Sequence, residues 1–199
     1  MFKKNLQTII FIFICNCYYI NAQKNSLNNT FVDDLNMCQL IYKQPTFYFK
    51  IDSAYDYEFD PAENTLYLDY VVQNKQNDIT IAISTLKLRE PNQLFKRMFP
   101  KSKDFNNVIP YVIFYGDTIS TKPIEIDKKK IKELNADNGY IYNMKITNPY
   151  LNKYPMCKTV LIHKDNVSNA QILYFYTKKD ENKVDDVIQK TWGMLKFKK

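Results

Sequence analysis

The chain has 199 residues, of which 45% are hydrophobic and 25% charged, and its formal net charge is +7. These values fit one globular domain and exclude a disordered or low-complexity chain. The chain contains three glycines and one histidine, which also excludes most glycine-rich phosphate loops, zinc sites and histidine-based catalytic pairs.

The start of the chain has the pattern of a secretory signal peptide. Two lysines precede an apolar run at residues 9–14, and Ala22 stands directly before Gln23. The run is far shorter than the roughly 20 residues that a membrane-spanning helix needs, and no later stretch reaches that length. We therefore predict a signal peptide over residues 1–22, a single domain over residues 23–199, and a periplasmic or secreted protein without a transmembrane segment.

Export changes the cysteine count. Cys15 and Cys17 would leave with the signal peptide, whereas Cys38 and Cys157 remain. An even number of cysteines in an exported chain favours a disulfide, which here would close a loop of about 120 residues and stabilise the fold by roughly 4–5 kcal/mol. The alternative is two separate buried thiols that pack as small apolar side chains. The distance between them in the fold decides between these interpretations.

The first element after a polar leader is an amphipathic helix, predicted over residues 30–42. Phe31, Leu35, Cys38 and Tyr42 recur at close to helical spacing. The pattern predicts that one face of this helix, which includes Cys38, is buried.

Aromatic and β-branched residues then predict a series of strands. Residues 46–51 and 66–72 are rich in such residues, and residues 79–88 alternate most clearly between apolar and polar positions. Residues 91–99 predict a short helix. Residues 108–115 are almost continuously apolar and predict an edge or bulged strand, because a proline interrupts them.

An acidic segment interleaved with aromatic residues joins the first two predicted strands. Its candidate site residues are Asp52, Asp56, Glu58 and Asp60. Such a loop would suit calcium or a sugar, but the spacing and glycine of a calcium loop are absent. The alternative is a solvated hairpin connection. A carbohydrate-binding or carbohydrate-acting site at residues 52–63 is therefore a second hypothesis, and catalysis there requires two carboxyl groups that face each other at about 5–9 Å.

The second half of the chain predicts four more strands and two helices. The strands are expected at residues 119–126, 140–147, 157–163 and 171–177. Asp127 is placed to cap a helix that ends before Asn138 and Gly139, and the chain closes with an amphipathic helix whose apolar stripe runs from Val184 to Leu195. The predicted fold class is α+β, with a single antiparallel sheet of roughly six to eight strands and N-terminal and C-terminal amphipathic helices packed on it.

Two pairs of tyrosines are candidates for a binding surface. Tyr140 and Tyr142, like Tyr174 and Tyr176, are two residues apart and share a face of their predicted strand. If these pairs are exposed, they form a recognition surface. If they are buried, they represent ordinary cross-strand packing.

The single histidine is the remaining candidate for catalysis. His163 follows Cys157 by six residues, about 20 Å along a strand, so the two cannot form a nucleophile–base pair, which requires about 3 Å. We predict that His163 is a surface residue at the end of a strand. No catalytic residue, metal site or cofactor is predicted, and the interpretation leans away from an enzyme.

The last segment of the chain combines a strand at residues 172–176, a charged turn, a helix beginning at Val184 and a short tail with Phe197. This arrangement resembles the closing segment of PsbP-like and DcrB-like proteins. The resemblance implies an antiparallel sheet between helices and a binding or scaffolding role. It is confined to this segment, because the Gly-Phe opening and the Pro-x-x-Trp sequence of that family are missing near residues 46–51.

The distribution of charge completes the functional interpretation. Basic residues are spread along the chain instead of gathering with exposed aromatic residues, so nucleic acid is not an expected partner. We expect an exported, non-enzymatic binding protein of a bacterial cell envelope or secretome, with a protein or an envelope component as its partner. The sequence does not identify that partner.

Overall fold

The central feature of the computed structural model is an antiparallel sheet of seven strands. The structure describes residues 27, 29–51, 57–60, 64–74, 76, 78–88, 122–144 and 146–199. In chain order the described strands are β1 (Leu40–Tyr42), β2 (Tyr48–Lys50), β3 (Tyr57–Asp60), β4 (Asn64–Leu66), β5 (Tyr70–Asn74), β6 (Thr80–Lys87), β7 (Ile124–Glu125), β8 (Asn138–Met144), β9 (Met156–Lys164), β10 (Ser168–Tyr176) and β11 (Leu195–Phe197). The large sheet has the order β2-β5-β6-β10-β9-β8-β7.

Three α-helices accompany these strands in the part of the chain that the structure describes. They are α1 (Asn29–Met37), α2 (Lys128–Glu133) and α3 (Val184–Lys190), and a single 3-10 turn, Lys178–Asp180, precedes α3. The protein is therefore of the α+β class, and the predicted number of strands is confirmed for the large antiparallel sheet. The prediction of a single sheet is wrong, because among the described residues β1 pairs with β11 and β3 pairs with β4 in two further two-stranded sheets.

The hairpin of β9 and β10 forms the middle of the sheet. Ser168 lies opposite Lys164 and Tyr176 lies opposite Met156, so the two strands pair over their full length. In the turn between them, Asn166 adopts a positive φ of 60°. Every residue of β10 is buried, because β6 and β9 flank it and both of its faces are covered. The two strands predicted in this region are confirmed.

One face of the sheet carries an aromatic and apolar cluster. Strand alternation places Cys157, Leu173 and Phe175 on this face and Tyr174 on the other. The rings of Phe175 and Tyr150 stack, with their centroids 4.1 Å apart. The buried members of the cluster are Leu66, Val71, Ala82, Met144, Tyr150, Tyr154, Cys157, Leu173 and Phe175.

The N-terminal helix is shorter than predicted, because a strand follows it. The helix α1 ends at Met37, Gln39 adopts a φ of 54°, and β1 then pairs antiparallel with β11. The Lys198 N–H also donates to the Gln39 carbonyl (2.8 Å). Tyr42 fitted the helical spacing, but this long-range pairing determines its conformation.

The C-terminal helix is also shorter than predicted. It ends at Lys190, and Gly193 then adopts a φ of 80°, which reverses the chain. Leu195 was predicted on the apolar stripe of the helix and Phe197 in the tail that follows it. Both residues instead belong to β11, where they are fully buried.

The cap predicted for the middle helix is confirmed, whereas its ending is not. The Asp127 carboxylate accepts a hydrogen bond from the Lys129 N–H (2.8 Å) at the start of α2. Asn138 and Gly139, predicted to follow the helix as a stop, instead belong to β8.

Several predicted segments fall outside the described residues. These are the signal peptide at residues 1–22, the helix at residues 91–99 and the strand at residues 108–115. Among the residues that the structure describes, no helix has the length and apolar character needed to cross a membrane. The described residues from Asp34 to Lys199 form one compact unit, and the side chains discussed below belong to it.

Candidate ligand-binding groove

Three of the four candidate tyrosines are buried, so they do not form an exposed surface. Tyr142, Tyr174 and Tyr176 are at most 5% exposed, and Tyr140 is half-buried. Burial raises the pKa of Tyr176 to about 12 and raises the pKa values of Tyr142 and Tyr174 as well. Of the two interpretations that the sequence left open, cross-strand packing applies to the three buried tyrosines.

The two cysteines are separate, buried thiols and are not joined by a disulfide. Cys157 lies opposite Phe175 on β10, whereas the Cys38 carbonyl accepts a hydrogen bond from Ser168 Oγ (2.8 Å) at the other end of β10. Ser168 and Phe175 are seven residues apart along the strand, about 23 Å, and a disulfide requires Cα atoms within about 7 Å. The predicted bridge is therefore not formed. Burial raises the pKa of both thiols, which disfavours the nucleophilic thiolate.

His163 is buried, contrary to the predicted surface position. Its Nδ1 lies 2.6 Å from Asn169 Oδ1, and its Nε2 lies 2.8 Å from Asp165 Oδ1. These contacts join both sides of the β9–β10 turn, so the ring has a structural role in the hairpin. Cys157 lies out of reach along the same regular strand, as expected.

The acidic segment lies only partly within the described residues. Asp52 and Asp56 lie outside them, whereas Glu58 and Asp60 belong to β3. That strand pairs with β4 in a two-stranded hairpin, with a register shift between Glu58 and Asp60. A carbohydrate site at residues 52–63 stays a prediction.

A groove of about 490 Å³ opens beside the C-terminal end of α3, and we call it the Trp192 groove. The segment that leads into β2 forms one wall, and the end of α3 with the following turn forms the other. Its described lining residues are Lys43, Gln44, Pro45, Thr46, Phe47, Tyr48, Asn74, Gln76, Val187, Lys190, Thr191, Trp192, Gly193 and Met194.

Hydrogen bonds fix the wall that leads into β2. The Gln44 side chain donates from Nε2 to the Tyr48 carbonyl (2.7 Å) and accepts at Oε1 from Tyr70 Oη (3.2 Å). Phe47 is held at a φ of 66°, a conformation that costs a residue other than glycine about 1 kcal/mol or more. Its ring is 61% exposed. An exposed aromatic ring in a strained backbone conformation points to a role in binding more than to a role in packing.

The wall at the end of α3 is equally fixed. Thr191 Oγ1 donates to the Val187 carbonyl (2.8 Å) and also hydrogen-bonds Tyr174 Oη (2.8 Å) in the sheet. The Lys43 N–H donates to the Met194 carbonyl (2.7 Å), which ties the two walls together. The groove therefore has a rigid shape before any ligand arrives.

The side chains available for ligand contacts in the groove are mainly cationic and aromatic. Lys43 and Lys190 are exposed, and its described lining contains no Asp or Glu. Trp192 is half-buried, and its Nε1 is buried without a hydrogen-bond partner among the described residues. The Lys130 ammonium lies 5.2 Å from the centroid of the Trp192 ring, which adds a third positive charge nearby.

A second cavity of about 360 Å³ continues the groove, because Asn74 and Gln76 line both. Its two carboxylates already have cationic partners. Asp78 lies 2.5 Å from Lys153 Nζ, and Asp180 lies 2.9 Å from Lys183 Nζ. The remaining lining residues are Gln73 and Lys179.

The titratable side chains of the Trp192 groove are lysines and a tyrosine. Its described lining residues include no His, Cys, Asp or Glu. Elsewhere in the described residues, no group of three or more such side chains is arranged to hold a metal ion. Sequence reasoning missed this site, and the solitary tryptophan is the one local signal that pointed to it.

The comparisons with known proteins return no relative. The chain matches no protein-family model, and a search of curated proteins finds no match.

Proposed function

We propose that the chain is an exported, non-enzymatic binding protein of a bacterial cell envelope or secretome, and that the Trp192 groove is its ligand site. The observation that carries this proposal is an exposed aromatic ring, Phe47, beside two lysines in a concave, rigid site. The volume of the groove falls within the range of roughly 300–1,000 Å³ that is common for ligand sites.

Preorganised walls support a binding role. The Lys43–Met194 hydrogen bond and the Thr191–Tyr174 contact hold the two sides of the groove in place. A site that is ordered beforehand loses less conformational entropy when its ligand binds. The walls of the groove therefore do not need to rearrange when a ligand binds.

Export and architecture belong to the same proposal. The lysines, apolar run and Ala22–Gln23 junction at the start of the chain support export and cleavage after Ala22. We also propose that α1 and α3 both cover the sheet, which the burial of Leu35 and of Val187 supports. The resemblance of the last segment to PsbP-like and DcrB-like proteins is in keeping with a binding or scaffolding role.

Binding to envelope material tests this function. The full chain, expressed with its leader and purified from the exported fraction, is mixed with envelope particles and secreted polymers of the source cells, and the bound protein is measured by sedimentation. We expect saturable binding that Phe47→Ala weakens about tenfold, equivalent to about 1.4 kcal/mol.

A second exposed aromatic residue provides the control. Tyr67 is 70% exposed and does not line the groove, so Tyr67→Ala should bind as the unmodified chain does. Equal binding by Phe47→Ala and Tyr67→Ala, or no binding by any variant, contradicts the proposal.

A further inference from the structure

We infer that the ligand of the Trp192 groove is an acidic oligosaccharide, a chain of sugar rings that carry carboxylates. The inference rests on the proposed function and names the chemical class of the ligand. Three properties of the described lining lead to it: the sign of its charge, the way its aromatic and amide groups are presented, and its extension into a second cavity.

The charge of the groove favours an anion. Lys43 and Lys190 project from opposite walls with exposed side chains, and the described lining of the groove includes no carboxylate. The end of a helix normally presents partly negative carbonyls. Here the Gln189 carbonyl accepts from the Trp192 N–H (3.3 Å) and the Thr191 carbonyl accepts from the Met194 N–H (2.9 Å), so internal donors already occupy them.

Aromatic and amide groups in the groove favour sugar rings. The C–H face of a sugar ring is apolar and packs flat on an aromatic ring, and Phe47 and Trp192 offer such rings in an open site. Sugar hydroxyls both donate and accept hydrogen bonds, as side-chain amides do. The exposed Gln76 lines the groove and provides such an amide, whereas Asn74 is buried and its Oδ1 already accepts from the Gln76 N–H (2.7 Å).

The shape of the groove favours a chain of several rings. Asn74 and Gln76 line both cavities, so a ligand that leaves the Trp192 groove enters the second cavity past these residues. An acidic peptide is the competing ligand. Peptides are held by strand addition, in apolar or aromatic-lined grooves, or, for acidic motifs, by arginine clusters. The described lining contains no arginine, and its side-chain amides suit sugar hydroxyls.

Trp192 makes the inference directly measurable. It is the single tryptophan of the chain and it lines the groove, so its fluorescence reports on occupancy. We would titrate the purified protein with oligosaccharides of galacturonate, mannuronate and hyaluronan. We expect a saturable change with at least one of them, and at least a tenfold loss of affinity when the carboxylates of that oligosaccharide are methyl-esterified.

Matched lysine variants localise the charge. Lys43→Gln with Lys190→Gln should weaken binding of the acidic oligosaccharide at least tenfold, because both groove cations are removed. Lys87→Gln with Lys122→Gln removes the same charge from two exposed lysines outside the groove and should leave the affinity unchanged. Phe47→Ala should weaken the acidic and the esterified ligand by the same factor, because its ring contacts the sugar face and not the carboxylate.

Four outcomes overturn the inference. These are equal affinity for the esterified ligand, equal loss in the two lysine double variants, tighter binding of poly-glutamate than of every acidic oligosaccharide, and no response to any of them in fluorescence or calorimetry. If envelope binding is still weakened by Phe47→Ala in any of these cases, the proposed function stands and only the ligand class fails.

Discussion

Gly139 packs so closely against its neighbours that the structure leaves no space for a side chain at this position. A Cβ atom at this position would lie 2.6 Å from the Leu161 carbonyl oxygen and 2.8 Å from Ile131 Cδ1. We expect Gly139→Ala to lower the free energy of unfolding by about 2 kcal/mol, because a backbone oxygen within the sheet cannot move aside without disturbing its strand. Urea unfolding followed by circular dichroism measures this loss.

Gly193 provides the matched control for that substitution. An added Cβ there meets nothing within 4 Å, so only its φ of +80° opposes a side chain. Gly193→Ala should therefore cost about 1 kcal/mol. A loss for Gly139→Ala that is no larger than this would contradict the packing argument.

The two buried thiols lead to a second prediction about single residues. Cys38 and Cys157 are 2% and 1% exposed, and burial raises the pKa of both thiols. We expect the exported protein to react with a thiol reagent such as Ellman's reagent only after unfolding, and then to yield two thiols per chain. Cys38→Ser should yield one.

Rapid labelling of the native protein would contradict this burial. Failure of the unfolded protein to react would instead indicate a disulfide, which the placement of the two residues at opposite ends of β10 excludes.

The residue scale is also where sequence reasoning was least successful. His163 was expected at the surface, because polar atoms usually face water, whereas the tyrosine pairs were left open between an exposed surface and cross-strand packing. His163 is buried, but its partners Asn169 and Asp165 lie at the adjacent turn. Tyr174 and Tyr142 are buried as well and hydrogen-bond Thr191 and Gln171, which are distant in sequence. Local sequence does not reveal such partners, so it cannot distinguish an exposed tyrosine from a core tyrosine with a satisfied hydroxyl.

At the scale of elements, sequence reasoning was more successful. The strands β6, β9 and β10 follow their predicted ranges closely, because alternation and β-branched residues persist over eight or nine residues. The short elements β1 and β11 have only three residues each and depend on each other for pairing. Spacing alone assigned both to helices, because three residues are too few to show a strand period.

Asp180 is a test case for the link between β10 and α3. Its side chain is 3% exposed, and it accepts hydrogen bonds from Lys183 Nζ (2.9 Å) and Thr177 Oγ1 (3.1 Å). The bond from Lys183 holds the pKa of this carboxyl below its ordinary value of 3.8. We expect Asp180→Asn to lower the free energy of unfolding at pH 7 by about 1–2 kcal/mol.

The pH dependence of that loss follows from the direction of the shift. Because the folded state holds fewer protons than the unfolded state near pH 4, the carboxylate contributes fully above the unfolded pKa and loses its contribution as the pH falls through the folded pKa. The difference between the Asp180→Asn variant and the unmodified chain should therefore shrink between pH 5 and pH 3, roughly. Urea midpoints across this range measure it.

Asp185, in the first turn of α3, serves as the control. It pairs with Lys158 at 2.5 Å, but its side chain is 70% exposed. Asp185→Asn should cost at most about 0.5 kcal/mol, since exposed ion pairs contribute little. A loss that stays constant with pH for Asp180→Asn, or that is equal in the two variants, would contradict the proposed role of Asp180.

At the scale of the whole molecule, the groove shows why function was harder to predict than fold. Its walls come from residues 43–48 and 187–194, and its floor from Asn74 and Gln76. These segments meet only when β1 pairs with β11 and the sheet brings β5 beside β2. The alternation of a strand can be read from a short stretch of sequence, whereas the contact between these three distant segments cannot.

The prediction that belongs to this scale is export itself. We expect the full chain, expressed in a bacterial host, to appear outside the cytoplasm with Gln23 as its first residue, because the apolar run after two lysines directs it to the export machinery. Mass spectrometry of the N-terminal peptide measures this. Ala22→Asp should block cleavage, whereas Asn21→Asp should affect it far less, and a product that retains Met1 in the unmodified chain contradicts the prediction.

The pairing of β1 with β11 has a consequence for the life of the protein. Leu40 pairs with Phe197, which lies more than 150 residues further along the chain, so β1 cannot form its ladder until β11 has been synthesised. The same late event brings the Met194 carbonyl to the Lys43 N–H and so joins the two walls of the Trp192 groove. A chain that has not yet been synthesised as far as Phe197 therefore lacks this groove, and on the proposed function such a chain binds no ligand.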